Sequence, residues 1–157
     1  MTPEKQRVVE LIRSAFQGVL LGNGIGLQQG QGRDEYANRK TLAELRASDE
    51  KDDWPAIPAA ELDACYSSLS FFDTEGMRFH LPAFLIADLR DQLETADVVF
   101  SLTFSPEFKD HQQKQFALLN PSQRKAVREF LLLRRDAERV DFVWLAIEDA
   151  LREYWVE

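Results

Sequence analysis

The chain of 157 residues is 45% hydrophobic and 29% charged, and it carries a formal net charge of −8 at pH 7. This balance excludes a disordered polypeptide and predicts one folded domain over residues 1–157. Because the negative charge repels phosphate groups, the sequence predicts neither nucleic acid nor a membrane as a partner.

The first predicted element is a helix at the start of the chain. Thr2 supplies a capping hydroxyl and Pro3 a proline in the first turn. Glu10 and Arg13 interrupt the apolar stretch, which is untypical of a signal peptide, and the predicted location is therefore the cytoplasm. The helix is predicted to end at the glycines of residues 22–24. Its apolar face is formed by Val8, Leu11, Ile12, Ala15, Phe16 and Val19.

Three weaker helix signals follow. Residues 26–40 are compatible with a helix softened by glycine. Ser48 is predicted to start a helix that ends at Pro55, and Pro58 is predicted to open another that passes through Cys65. Cys65 is the single cysteine, so no intramolecular disulfide can form, and we expect its side chain to pack in the core. With only two histidines besides, the sequence predicts no metal and no cofactor.

The middle of the chain is rich in aromatic residues and allows two interpretations. In the preferred one, Asp73 caps an acidic first turn, and Pro82 then starts a longer helix over Ala83 to Leu93. In the alternative, residues 69–72 pair with residues 77–81 as a β-hairpin. In either case a soluble chain must bury most of the bulky side chains here, namely Phe71, Phe72, Phe79, Leu81, Phe84 and Leu85.

The last third of the chain combines one extended segment with two helices. Residues 98–104 alternate in the manner of a strand but have no evident partner strand, so an extended segment is predicted. Asn120 and Gln123 form a capping box around a proline. A final helix is predicted from about Ala137, with a stripe of Val140, Val143, Trp144, Ile147, Leu151 and Tyr154. The predicted fold class is all-α: a single-domain helical bundle of five to seven helices with one short extended segment.

Two motifs resemble ligand sites but lack part of the required pattern. The glycine-rich residues 22–26 follow a predicted helix and lack the spacing of a dinucleotide-binding loop, so a connection between helices is favoured. Carboxylates at helical spacing can hold Mg²⁺ for pyrophosphate hydrolysis, but the second motif of such enzymes is absent. A solvated acidic face is therefore favoured over a cation site for Asp34, Glu35, Asp49, Glu50, Asp52 and Asp53.

The strongest candidate binding residues are Asp73, Glu75, Arg78 and His80. On a helix Glu75 and Arg78 can form an ion pair, and His80 titrates near neutral pH, which suits a general base. No nucleophile elbow, oxyanion motif or metal triad accompanies them, so no catalytic residue is assigned. A helix cap, a surface ion pair and a partly buried histidine explain the same four residues and are favoured.

Two segments also resemble a bacterial family of unknown function. Residues 68–85 contain an acid-capped turn before an aromatic-rich Leu-Pro-Ala helix, and residues 116–131 contain a Pro-x-Gln-Arg helix. Similar stretches around the glycines and around Trp54 extend the resemblance over roughly residues 24–131. The resemblance implies one helical domain and implies no activity, ligand or catalytic residue.

The functional hypothesis rests on surface charge and on the missing catalytic motifs. Acidic residues predominate over residues 31–75 and basic residues over 109–139. These bases form a basic face on the penultimate predicted helix and beside it, which suits either an acidic partner or the acidic half of this chain. The residues of the basic face are Lys109, Lys114, Gln123, Arg124, Lys125, Arg128, Arg134 and Arg135. We therefore expect a non-enzymatic bacterial protein-interaction module, accessory or immunity-like, whose partner is another protein. The alternative is a small-molecule-binding protein or enzyme with its site at Asp73, Glu75, Arg78 and His80.

Overall fold

The computed structural model describes residues 1–139 and 141–157. Within these residues the chain is all-α and contains no strand. Ten α-helices and one 3-10 turn follow one another as α1 (Pro3–Ala15), α2 (Leu27–Asp34), α3 (Arg39–Ser48), the 3-10 turn (Trp54–Ala56), α4 (Ala59–Ala64), α5 (Ser68–Phe71), α6 (Thr74–Leu89), α7 (Val98–Leu102), α8 (Lys109–Lys114), α9 (Pro121–Ala137) and α10 (Phe142–Glu153). The class is as predicted, but the predicted count of five to seven helices is wrong.

Helix α6 is the centre of the core. Most of its residues are buried, and it packs against α1, α4, the 3-10 turn and α7. Helix α1 packs in turn against α9, and α9 also packs against α10. Helix α2 packs against α3 and α5. Five of the six bulky residues predicted to be buried in the middle segment are buried, and Phe71 is the exception at 37% exposed.

The helical interpretation of the middle segment is confirmed and the hairpin is wrong, but the predicted helix start is misplaced. Asp73 caps α6, which begins at Thr74 and ends at Leu89. Pro82 lies inside the helix, where it removes one backbone hydrogen bond. Because α6 is buried on nearly all sides, its packing offsets that loss, and the proline does not define the helix start.

The prediction of an extended segment over residues 98–104 is wrong for Val98–Leu102, which form α7. The Asp97 carboxylate caps this helix by accepting a hydrogen bond from the backbone N–H of Phe100 (3.0 Å). Val98, Val99 and Leu102 are buried on one face. A helix this short offers too few positions for its period to be distinguished from alternation in the sequence.

Several helix boundaries also differ from the predictions. Helix α1 ends at Ala15, seven residues before the predicted glycines, because Gly18 already adopts a positive φ of 76°. Ser48 ends α3 and Ala137 ends α9, although each was predicted to start a helix. The helices predicted from Thr2, Pro58 and Asn120 start where expected. Val140, predicted to lie in the last apolar stripe, is outside the described residues.

Cys65 packs in the core as predicted. Burial raises the pKa of its thiol to about 12, so the side chain is an uncharged core residue at neutral pH. Among the described residues, no helix is both long and apolar enough to cross a bilayer.

Candidate functional site

Two of the four predicted site residues attach a loop to the N-terminus of α6. We call residues 22–26 the glycine loop. Asp73 Oδ1 accepts hydrogen bonds from the backbone N–H of Ile25 (3.0 Å) and from that of Gly76 (2.9 Å). Glu75 Oε2 accepts a further bond from the N–H of Asn23 (3.0 Å). Asp73 is thus a helix cap, as predicted, and the two carboxylates together hold the glycine loop in place.

The glycines allow the loop and α6 to approach at backbone distance. A Cβ on Gly24 would lie 2.6 Å from the nitrogen of Gly76, and a Cβ on Gly76 would lie 2.6 Å from the carbonyl oxygen of Ile25. On the other side of the loop, the Arg46 guanidinium donates to the carbonyl oxygens of Gly22 (2.8 Å) and Gly24 (3.1 Å). Two N–H groups and two carbonyls of the loop therefore bind this chain's own charged side chains, which supports the connecting role favoured from the sequence.

Arg78 and His80 do not join these carboxylates in one cleft. No ion pair joins Glu75 to Arg78 in the part of the chain that the structure describes. His80 was expected to be partly buried, but it is fully buried. Its Nδ1–H donates a hydrogen bond to the Gly76 carbonyl (2.7 Å). Its ring stacks on the ring of Phe72 at a centroid distance of 4.4 Å. Burial lowers the pKa of His80 to about 4, so the imidazole is neutral at pH 7.

Replacing Asp73 by alanine is expected to lower the free energy of unfolding by about 2 kcal/mol, because one helix cap and one loop contact are lost together. A cap alone contributes about 1 kcal/mol. Asp73→Asn keeps an oxygen acceptor in the same place and is expected to lose less than half as much. Urea denaturation of the three proteins measures the difference. Equal losses of about 2 kcal/mol in both variants would show that an amide oxygen cannot replace the carboxylate, and losses near zero in both would show that the cap and the loop contact contribute nothing.

One residue of the predicted acidic face, Asp49, has a structural role. Asp49 is only 5% exposed, so the prediction that it belongs to a solvated face is wrong. Its carboxylate accepts from the N–H groups of Gln28 (2.8 Å) and Gln29 (3.2 Å) in the first turn of α2, while burial raises its pKa. Glu50 accepts from the N–H of Asp52, which lowers the pKa of Glu50. Across the described residues, no group of three or more His, Cys, Asp or Glu side chains is placed to hold a metal ion.

The basic face binds groups of this same chain. Arg134 forms an ion pair with Asp88 (2.8 Å). Arg124 and Arg128 donate to the carbonyl oxygens of Tyr154 and Trp155, just beyond α10. These contacts support the intramolecular alternative for the basic face, and they fix the end of the chain against α9.

The structure reveals a cleft that the sequence analysis did not predict. We call it the aromatic cleft; its volume is about 270 Å³, and it lies where α5, α7 and α8 meet. Phe71 is 37% exposed, Phe100 52% and Phe108 53%. Three partly exposed aromatic rings therefore line the same cleft. The lining residues are Leu69, Ser70, Phe71, Phe100, Ser101, Phe108, His111, Gln112 and Gln115.

Polar side chains of α8 and its flanks fix the cleft. Gln115 donates from Nε2 to the carbonyl oxygens of Leu69 and Phe72, at 2.9 Å each. His111 Nε2 lies 3.0 Å from the carbonyl oxygen of Ser70. Since a carbonyl oxygen only accepts, Nε2 carries the proton, and in the neutral ring Nδ1 is then an acceptor.

Gln112 leaves an acceptor without a donor. Its Nε2 donates to the carbonyl oxygens of Phe100 (3.3 Å) and Thr103 (3.2 Å), which fixes the orientation of the amide. Its Oε1 is buried and has no hydrogen-bond partner among the described residues, and the whole residue is only 6% exposed. A buried acceptor without a donor is energetically costly, and such groups are uncommon in native structures.

One signal in the sequence could have indicated this cleft. Phe108, His111, Gln112 and Gln115 recur at the spacing of one helix face and form a mixed aromatic and polar stripe. Such a stripe fits neither a core face, which is apolar, nor a solvent face, which is charged. Nothing local indicated that Phe71 and Phe100 lie beside it, because they come from other helices.

A match to a protein-family model covers nearly the whole chain. Residues 4–157 match the sequence model of a family of unknown function (DUF6714). The chain belongs to this family. Membership confirms the predicted resemblance to an uncharacterised family, whereas the bacterial origin stays a prediction. No curated protein and no solved structure matches the chain.

Proposed function

We propose that the protein is a non-enzymatic bacterial interaction module, a single domain over residues 1–157 that acts in the cytoplasm and binds another protein through the aromatic cleft. The observation that carries the proposal is the cluster of three exposed phenylalanines around an apolar depression. Exposed apolar surface of this kind marks protein-binding and ligand-binding sites. Aromatic residues are also enriched at the centres of protein interfaces.

The chemistry of the cleft supports binding over catalysis. His111 is the one titratable side chain among the described residues that line it. Its Nε2 is already bonded to the Ser70 carbonyl, and no carboxylate or nucleophilic thiol lies in the lining. Apolar walls with a few fixed polar groups recognise a ligand and orient it, whereas acid–base catalysis needs paired titratable groups. The net charge of −8 supports a partner other than nucleic acid.

A small-molecule or enzymatic site at Asp73, Glu75, Arg78 and His80 is the second candidate. It is favoured by two buried nitrogens without hydrogen-bond partners among the described residues, Arg78 Nε and His80 Nε2. It is weakened by the geometry of the two carboxylates, which accept hydrogen bonds from the glycine loop. It is weakened also because none of the four residues lines any of the five best-defined surface clefts of the described chain.

The proposal is tested by comparing which proteins bind to three baits in an extract of the native cell. The baits are the parent protein, the double variant Phe100→Ala/Phe108→Ala, and the control Phe142→Ala. Phe142 is 89% exposed and lies outside the cleft, so its truncation removes a similar apolar surface elsewhere. We expect a partner that is retained by the parent and by Phe142→Ala and is lost from the double variant.

All three baits are expected to melt at closely similar temperatures, since the truncated rings are half or more exposed. This check separates loss of the binding surface from loss of the fold. A set of retained proteins that is identical for the parent and the double variant contradicts binding through the cleft.

A further inference from the structure

We infer that a second cleft, beside α6, binds a small organic anion in which one apolar ring is joined by a short chain to a carboxylate. We call it the arginine cleft; it lies between α1, α4, the 3-10 turn and α6, and its volume is about 220 Å³. None of its lining residues lines the aromatic cleft. The inference therefore goes beyond the proposed function and does not depend on it.

The floor of the arginine cleft is apolar and belongs to the central helix of the core. Among the buried hydrophobic residues of α6, only Ala83 (7%), Ile86 (7%) and Ala87 (3%) keep more than 1% of their surface exposed, and all three line this cleft. Trp54 also lines it, and the indole is fixed because its Nε1–H donates to the Phe16 carbonyl (2.9 Å). Since a cavity of about 150 Å³ holds a benzene ring, this volume accommodates one ring with a short chain.

The charged residues of the lining are both basic. Arg13 and Arg90 line the cleft together with Gln92, and no Asp or Glu of the described residues does so, although the chain as a whole carries a net charge of −8. The carbonyl oxygens at the end of α6, which repel an anion, already accept hydrogen bonds: that of Ile86 from the N–H of Arg90 (3.1 Å) and that of Ala87 from the N–H of Gln92 (2.9 Å). Positive charge beside an apolar floor favours an apolar anion.

Both guanidinium groups are available to such a ligand. The Arg90 side chain is exposed and forms no ion pair or hydrogen bond with any residue that the structure describes. The next residue, Asp91, pairs instead with Lys5 (3.6 Å). Arg13 contacts Glu10 through Nη1 alone (3.0 Å), and because this pair is exposed it is easily exchanged. Both side chains are therefore free to turn towards a bound carboxylate, whose two oxygens match the donors of an arginine.

The test titrates three probes into the full chain and follows their binding by nuclear magnetic resonance. Hydrocinnamate is the anion, hydrocinnamamide is its neutral isostere, and phenylpropylamine is the corresponding cation. We expect a dissociation constant of about 1 mM for hydrocinnamate, because the probe has few atoms. The amide is expected to bind about fivefold more weakly, since exposed arginines contribute charge-assisted hydrogen bonds that water partly screens. The amine is expected not to bind.

Two results of this titration overturn the inference. Absence of hydrocinnamate binding at about 10 mM removes the ligand class. Equal affinities for hydrocinnamate and its amide show that the charge is not recognised. The resonances that shift with hydrocinnamate are expected to include the Trp54 indole and the methyl groups of Ala83 and Ile86, and shifts confined to residues outside the lining overturn the location.

Three charge variants assign the arginines. Arg13→Gln and Arg90→Gln each remove one charge from the lining, whereas the control Arg33→Gln removes the same charge from an exposed position outside it. Each lining variant is expected to weaken hydrocinnamate binding about twofold and to leave the amide unaffected, and the control is expected to change neither. Equal weakening in all three variants shows a response to net charge alone and overturns the role of the cleft.

A fourth variant tests the apolar floor. Ala83→Leu places a larger side chain in the cleft and is expected to abolish the binding of both hydrocinnamate and its amide. Unchanged binding in the folded variant overturns the site. If the variant does not fold, the arginine variants decide, because they change only exposed side chains and are expected to melt at nearly the parent temperature.

Discussion

Replacement of Phe84 by alanine is expected to lower the free energy of unfolding by about 3–5 kcal/mol. Phe84 is fully buried in α6 and lies edge-on to Phe72, with ring centroids 6.5 Å apart. Its truncation removes a large apolar contact area and leaves a cavity that the tightly packed helix cannot close. A domain of this kind has only about 5–15 kcal/mol of stability in total, so the loss is a large fraction of it.

The measurement is urea denaturation followed by far-ultraviolet circular dichroism. Phe142→Ala serves as the matched control, since this ring is 89% exposed and its truncation is expected to change stability by less than about 0.5 kcal/mol. If Phe84→Ala does not fold, Phe84→Leu retains part of the volume and is expected to show a smaller loss of the same sign. A loss below about 1 kcal/mol for Phe84→Ala contradicts the central position of α6 in the core.

Acidification from pH 7 to pH 4 is expected to remove about 3 kcal/mol of stability through His80 alone. Burial lowers the pKa of this histidine to about 4 in the folded protein, against about 6.5 in an unfolded chain. Between these two values the unfolded chain binds a proton that the folded chain does not. The stability that this pKa difference contributes is therefore fully present above about pH 6.5. It falls as the unfolded chain takes up the proton, and it is lost as the pH falls through the folded pKa of about 4.

A comparison with His80→Leu isolates this effect, because the carboxylates titrate in both proteins and their contribution cancels. The parent protein is expected to lose about 3 kcal/mol more than the variant between pH 7 and pH 4, as measured by urea denaturation at a series of pH values. Parallel stability curves for the two proteins contradict a buried neutral histidine. At pH 7 the variant is expected to be less stable than the parent, since the ring stack on Phe72 and the bond to Gly76 are lost.

The capping residues of three helices were the most predictable part of the fold, because the hydrogen bonds that they accept are local. Thr2, Asp73 and Asn120 each accept a bond from a backbone N–H three residues further along the chain. A spacing of this kind is visible in the sequence. Helix ends were less predictable, since the end of α1 depends on the loop that follows it, whose Leu21 N–H binds the distant carbonyl of Lys51 (2.9 Å).

The candidate residues show the same division. The capping role of Asp73 follows from the sequence, whereas its bond to Ile25 joins residues that are 48 positions apart. The burial of His80 likewise depends on the ring of Phe72, and nothing in the polarity of a histidine indicates it. The carboxylates of Asp73 and Glu75, which looked like part of a binding cluster, accept hydrogen bonds from backbone groups at a helix–loop junction.

By itself the sequence determined the all-α class, the capped starts of α1 and α9, the capping role of Asp73, and the acidic charge of the chain. These properties depend on residue type and on spacings of three or four positions. Only the tertiary structure decided which aromatic side chains stay exposed. Phe84 and Phe100 are alike to any pattern of hydrophobicity, yet Phe84 is buried in the core and Phe100 borders the aromatic cleft. The physical reason is that burial depends on what distant helices pack against a residue, and the cleft exists only where α5, α7 and α8 meet.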